Sequence, residues 1–239
     1  MTQFPKRYIV AGCKSWHRRV FNEVLSKLAG EWHYAGEREQ LSVEKVRGLR
    51  PRYAFFLHWS WKVPPQILDE VECVCFHMTD VPYGRGGSPL QNLILRGHRN
   101  TKLTALRMTP EFDAGPVYLK KNLSLEGSAE EIYLRACTLS ADMIKQIAQD
   151  EMQPSPQTGE PVNFRRRKPE ESQITKLDSL EQLHDFIRML DAEGYPHAFL
   201  SHAGYHFEFS RSALYDGRIV ADVHITVESK EPKPKEPKE

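Results

Sequence analysis

Four cysteines in 239 residues, Cys13, Cys73, Cys75 and Cys137, show no CxxC spacing, which excludes a disulfide framework or a zinc knuckle. Cysteines that sit in ordinary strand and helix patterns read as a reducing, cytoplasmic chain. Long apolar runs are missing too, and the first apolar stretch breaks at Gly12 and Lys14, so neither a membrane span nor a signal peptide is expected. Charge of one sign is also lacking: 33 Lys and Arg face 32 Asp and Glu, a net charge of +1, which gives no general field to gather a polyanion. The only basic cluster is Arg165, Arg166, Arg167 and Lys168, a small salt-dependent attraction. A nucleic-acid partner is therefore not expected. The turn after the first strand, GCKSWH, lacks GxGxxG, which removes the best support for a dinucleotide site. His197, His202 and His206 have no matching carboxylate or cysteine, so no metal is expected.

What is present centres on Val71 to Pro89, VECVCFHMTDVPYGRGGSP. Its first part alternates, placing Cys73, Cys75 and His77 on one face of a strand. Pro82, Gly84, Gly86 and Gly87 then force a tight loop, and Ser88 with Pro89 and Gln91 forms a capping box that opens a helix. A histidine thus ends a strand beside a glycine-rich loop, where open α/β sheets put their ligands.

The rest of the chain alternates strand and helix. Tyr8–Ala11, Glu31–Ala35 and Tyr53–Leu57 read as strands, Trp16–Leu28 and Val43–Leu49 as helices. Strands at Lys102–Met108 and Pro116–Leu123 flank a turn at Phe112-Asp113-Ala114-Gly115, and Ser128 opens the longest helix. The fold expected over residues 1–150 is α/β, a Rossmann-like, mainly parallel sheet flanked by helices. A proline-rich linker at 151–163 leads to a small α+β domain over 164–229, with a helix at Ser179–Leu190 and a hairpin turning at Asp216-Gly217. The tail at 230–239, of Lys, Glu and Pro, reads as disordered.

These residues resemble a known family, the formyltransferases that move a formyl group from 10-formyltetrahydrofolate to an amine. Where the family carries Asn-x-His, a loop LLPxxRGxxP and Asp-x-Gly, this chain reads Cys75-Phe76-His77, Val81 through Pro89, and Asp113-Ala114-Gly115. His58-Trp59-Ser60 is similar to the segment beside the folate, and Asn163–Pro169 and Gly194–Phe199 to the C-terminal domain of aminosugar and methionyl-tRNA formyltransferases. The resemblance implies His77 and Asp113 as catalytic, with Cys75 in the place of the family asparagine. It implies a folate site of Trp59, Arg85, Gly86, Gly87 and Asp113, and acceptor contacts from Tyr83 and Arg166. Cys75 offers only a weak S–H donor, so a lower rate, a lost activity or a thioester route through its sulfur all stay open. From size and charge the expected acceptor is a nucleotide-linked aminodeoxy sugar, such as a 4-amino-4,6-dideoxy sugar of a surface glycan. Methionyl-tRNA formylation and a catalytically impaired binding protein are the alternatives, and a homodimer is left open.

Overall fold

A computed structural model describes residues 5–228. They form two units, one running through Glu126 and again over Glu131–Arg166, the other over Gly127–Glu130 and from Arg167 onward. The expected tail at 230–239 lies outside the described residues.

The first unit holds β1 (Arg7–Gly12), α1 (Ser15–Glu23), β2 (Glu31–Ala35), α2 (Val43–Leu49), β3 (Tyr53–Leu57), α3 (Pro65–Glu70) and β4 (Glu72–His77). It continues with β5 (Tyr83–Gly86), α4 (Pro89–Leu95), β6 (Asn100–Arg107), β7 (Val117–Ser124), most of α5 (Ala129–Asp150) and β8 (Val162–Phe164). Six of these strands form one sheet in the order β2-β1-β3-β4-β6-β7. The four on one side pair in parallel, and β6 and β7 add antiparallel. This is the expected Rossmann-like sheet with flanking helices, mixed at one edge. β3, YAFFL, is buried at every position, as a strand covered on both faces must be. Each such large side chain contributes about 1.5–3 kcal/mol relative to exposure.

Local differences from the sequence reading have physical causes. The first helix stops at Glu23 and continues as a 3-10 turn over Leu25–Lys27; Val24, expected on its apolar stripe, is 41% exposed, while Trp16 and His17 are buried. Ser88 does not cap α4 through its side chain. It sits at φ 49°, and Asn92 Nδ2 instead donates to the carbonyls of Gly87, Ser88 and Arg165. The glycine-rich stretch is itself a short strand, β5, paired in parallel with β8, which begins within the end of the expected linker.

The second unit contains α6 (Leu180–Arg188) and an antiparallel sheet of β9 (Ala198–His202), β10 (Tyr205–Tyr215) and β11 (Arg218–Val227). Phe186, Ile187 and Arg188 of α6 are buried, the arginine paired with Asp185 at 2.6 Å and bonded to Gly127 O at 2.8 Å. Among the described residues no helix is long and apolar enough to cross a membrane.

Candidate active site

His77 is the last residue of β4 and only 8% exposed. Its Nε2 lies 2.7 Å from Gly84 O, which also accepts from Thr79 Oγ1 at 3.3 Å. A carbonyl can only accept, so Nε2 carries a proton and Nδ1 is the atom left for chemistry. Nδ1 faces Asp113 Oδ1 at 3.5 Å. The two residues that sequence reasoning paired from distant parts of the chain therefore meet.

Asp113 reaches that position by a folded-back path. β6 leaves its partner β4 at the Val74–Arg107 pair, three residues short of His77, or roughly 10 Å along a strand. The connection to β7 must return over that length. It does so with Asp113 at φ 54° and with Gly115 packed so closely on Arg107 that a Cβ would fall 1.8 Å from its carbonyl oxygen. Only glycine fits there. Asp113 Oδ2 accepts from the Gly86 backbone N–H at 3.0 Å, which ties the carboxylate to β5.

Cys75 lies one strand pleat before His77, between Phe56 on β3 and Leu106 on β6. Burial, then the nearby Asp113 charge, push its thiol far above the ordinary range. A raised thiol pKa disfavours a resting thiolate at Cys75, the form that attacks most readily.

The remaining expected site residues divide. Trp59 is partly exposed, edge-on to Trp61 at 4.8 Å, and packs on the same core cluster as Cys75. Arg85 is engaged locally: Gln157 Oε1 accepts from its Nε and Nη2 at 3.1 and 2.9 Å. Gly86, at φ 101°, lies where a Cβ would come 2.6 Å from Phe164 O, and Gly87 is equally tight against Arg166. Both glycines admit the backbone of residues 164–166. Tyr83 bonds His98 Nε2 at 3.2 Å and packs edge-on to Phe164. Arg166 is exposed beside Gly87.

Sequence reasoning missed Gln157, Thr79 and two histidines, one in the first turn of α1 against Gly12 and one just after β3. His17 and His58 have ring centroids 6.3 Å apart. Burial, then His58, then Lys14 lower the pKa of His17 to about 3. Burial, then Lys14 and Arg166, lower that of His58 to about 4. Both are neutral above mild acid. Among the described residues there is no group of three or more His, Cys, Asp and Glu placed to hold a metal.

Comparison with known proteins gives a consistent set of likenesses. The family described as methionyl-tRNA formyltransferase, C-terminal domain, matches residues 169–226. A solved methionyl-tRNA formyltransferase from Clostridium thermocellum is 43% identical with a TM-score of 0.88, over 93% of this chain and 99% of that one. A methionyl-tRNA formyltransferase of Methylobacterium nodulans is 28% identical over 80% of this chain and 66% of its own length. The chain spans about half to two thirds of the curated relatives it matches. A 4-N formyltransferase from Francisella tularensis shares the fold, at TM-score 0.67, but only 13% of the sequence.

These findings overturn the expected nucleotide-linked aminosugar acceptor and, with it, the exclusion of nucleic acid. The size argument fails because the 43% identical chain, which bears the methionyl-tRNA name, is matched over 99% of its length. The charge argument fails because net charge reports only the average field, while binding depends on local cations. Lys14 and Arg166 both bear on His58 near the carboxyl ends of the strands.

Proposed function

The chain belongs to the formyltransferase family, and from that premise we propose that it transfers the formyl group of 10-formyltetrahydrofolate to the amine of methionyl-tRNA. The observation that carries the reading is the His77–Asp113 pair, with Nδ1 turned to the carboxylate at 3.5 Å and the carboxylate anchored on Gly86. The acceptor rests on what the relatives at 43% and 28% identity are named for.

The donor set suits a folate. Trp59 offers a partly exposed aromatic ring for a pterin, and the Asp113 carboxylate with the facing Nδ1 of His77 offers acceptors. When bound, the folate supplies the formyl carbon that the amine attacks. The protein's own part is proton handling: Asp113 accepts the proton that the amine must lose, and His77 Nδ1 exchanges it with the carboxylate. The hydrogen bond from Nε2 to Gly84 O keeps the imidazole in the orientation this exchange needs. Arg166, exposed, and Lys14, partly exposed, are cations near the strand ends that fit phosphates of the acceptor. The four cysteines are free thiols, which suits a reducing cytoplasm.

Incubating the purified chain with 10-formyltetrahydrofolate and methionyl-tRNA, and measuring formylmethionyl-tRNA, tests the proposal directly. His77→Gln and Asp113→Asn each lower the rate by about 10²-fold or more. Absence of formylmethionyl-tRNA with the wild-type chain would refute it.

A further inference from the structure

We propose that Gln157 is a positioning residue that holds Asp113 in register with His77, an assignment that rests on the formyl-transfer reading for what the pair does. Gln157 lies in the proline-rich stretch that the sequence presents as a linker. That stretch is pinned two residues earlier, where Ser155 and Val117 exchange backbone hydrogen bonds of 2.7 and 2.8 Å.

The side-chain amide of Gln157 is fully used. Its Nε2 donates to Asp113 O and Gly115 O, both at 2.8 Å. Its Oε1 accepts from Arg85 Nε at 3.1 Å and Nη2 at 2.9 Å. Two N–H donors and two acceptor sites exhaust what a carboxamide has. One half of the amide thus grips the turn that carries Asp113, and the other half grips β5, whose Gly86 N–H bonds the same carboxylate.

The geometry explains why a clip is needed. The β6–β7 connection returns roughly 10 Å along β4 before Asp113 meets His77, and the turn is held at φ 54° at Asp113. Without the two bonds from Gln157, Asp113 itself is tied to β5 among the described residues only through its carboxylate, the group whose aim matters. A displacement of about 1 Å at a reacting group costs up to about 10²-fold in rate.

Two variants separate the halves of the clip. Gln157→Glu keeps an oxygen for Arg85 but turns a second oxygen, with no proton to donate, toward two carbonyls. Gln157→Ala removes both grips. Turnover and KM for 10-formyltetrahydrofolate and methionyl-tRNA are measured for each, with thermal melting as the check on folding. In ¹⁵N-labelled protein without substrate, the Gly86 amide reports its bond to Asp113 through its chemical shift and hydrogen exchange. The expected result is a kcat about 10- to 100-fold lower in both variants, KM within about threefold, and a Gly86 amide that loses protection. Gln157→Glu recovers nothing over Gln157→Ala. Wild-type kcat together with an unshifted Gly86 amide in Gln157→Glu would overturn the assignment. So would unfolding of both variants, which would make Gln157 a part of the fold alone. If the wild-type chain formylates no methionyl-tRNA, the functional reading falls, and the Gly86 amide by itself decides whether Gln157 holds Asp113.

Discussion

Cys75 stands where the resemblance to the formyltransferases implies an asparagine, and its surroundings say what a thiol does there. A side-chain amide can hydrogen-bond a developing oxyanion strongly; a thiol does so weakly, and this thiol is held neutral by burial and by Asp113. The sulfur is therefore a weak donor, and its raised pKa works against a nucleophilic role. Cys75→Ala is expected to leave formyl transfer within about threefold of wild type, whereas Cys75→Asn raises it about tenfold or more, since one oxyanion donor is worth about 10²–10³ in turnover. Single-turnover formylation measures both. The added amide sits between Phe56 and Leu106, which are 2% and 1% exposed, so the same Asn variant loses about 1–3 kcal/mol of stability where its polar atoms stay unsatisfied. Abolition of transfer in Cys75→Ala would show that the thiol is needed after all.

β5 and β8 are short, four and three residues, yet their pairing fixes Gly86, and through Gly86 the Asp113 carboxylate. Gly86 combines φ 101° with a Cβ position 2.6 Å from Phe164 O, whereas Gly97, at φ 78°, has nothing within 4 Å. Comparing the two isolates the contact from the dihedral. Gly97→Ala is expected to cost about 1–2 kcal/mol in urea unfolding, and Gly86→Ala about 2–4 kcal/mol with loss of formyl transfer. Equal costs would mean that β8 yields to the added methyl. The same elements mark where sequence reading stops. β2, α2 and β3 take the bounds read from the sequence, β3 because its five residues form one compact apolar run and are all buried. His77 and Asp113 are legible through motif residues that chemistry dictates. β5 and β8 are not, since strands of four and three residues, the first with two glycines, carry no periodic signal. Gln157 is not legible because a lone glutamine among prolines says nothing of partners 44 and 42 residues away.

Stability over the whole chain is expected to carry the mark of two histidines that fold neutral. His17 and His58 have pKa values lowered to about 3 and about 4, against an ordinary value near 6.5 in the unfolded chain. Between about pH 6.5 and pH 4 the unfolded state therefore binds more protons than the folded state, and stability rises with pH across that window. Their contribution is complete above pH 6.5 and is lost as the solution is acidified. Each histidine supplies up to about 1.4 kcal/mol per pH unit, so the two together set a slope of up to about 3 kcal/mol per pH unit. Urea unfolding at pH 7, 6 and 5 measures the slope above the range where carboxylates titrate. Removing one of the two groups separates this cause from general acid sensitivity. His17 Nδ1 accepts from the Lys14 backbone N–H at 3.2 Å, a bond that an asparagine oxygen can also accept. His17→Asn is accordingly expected to halve the slope between pH 6 and pH 5 while the stability at pH 7 changes little. An unchanged slope in that variant would mean that His17 is already open to protons in the folded chain, and that some other group sets its acid sensitivity.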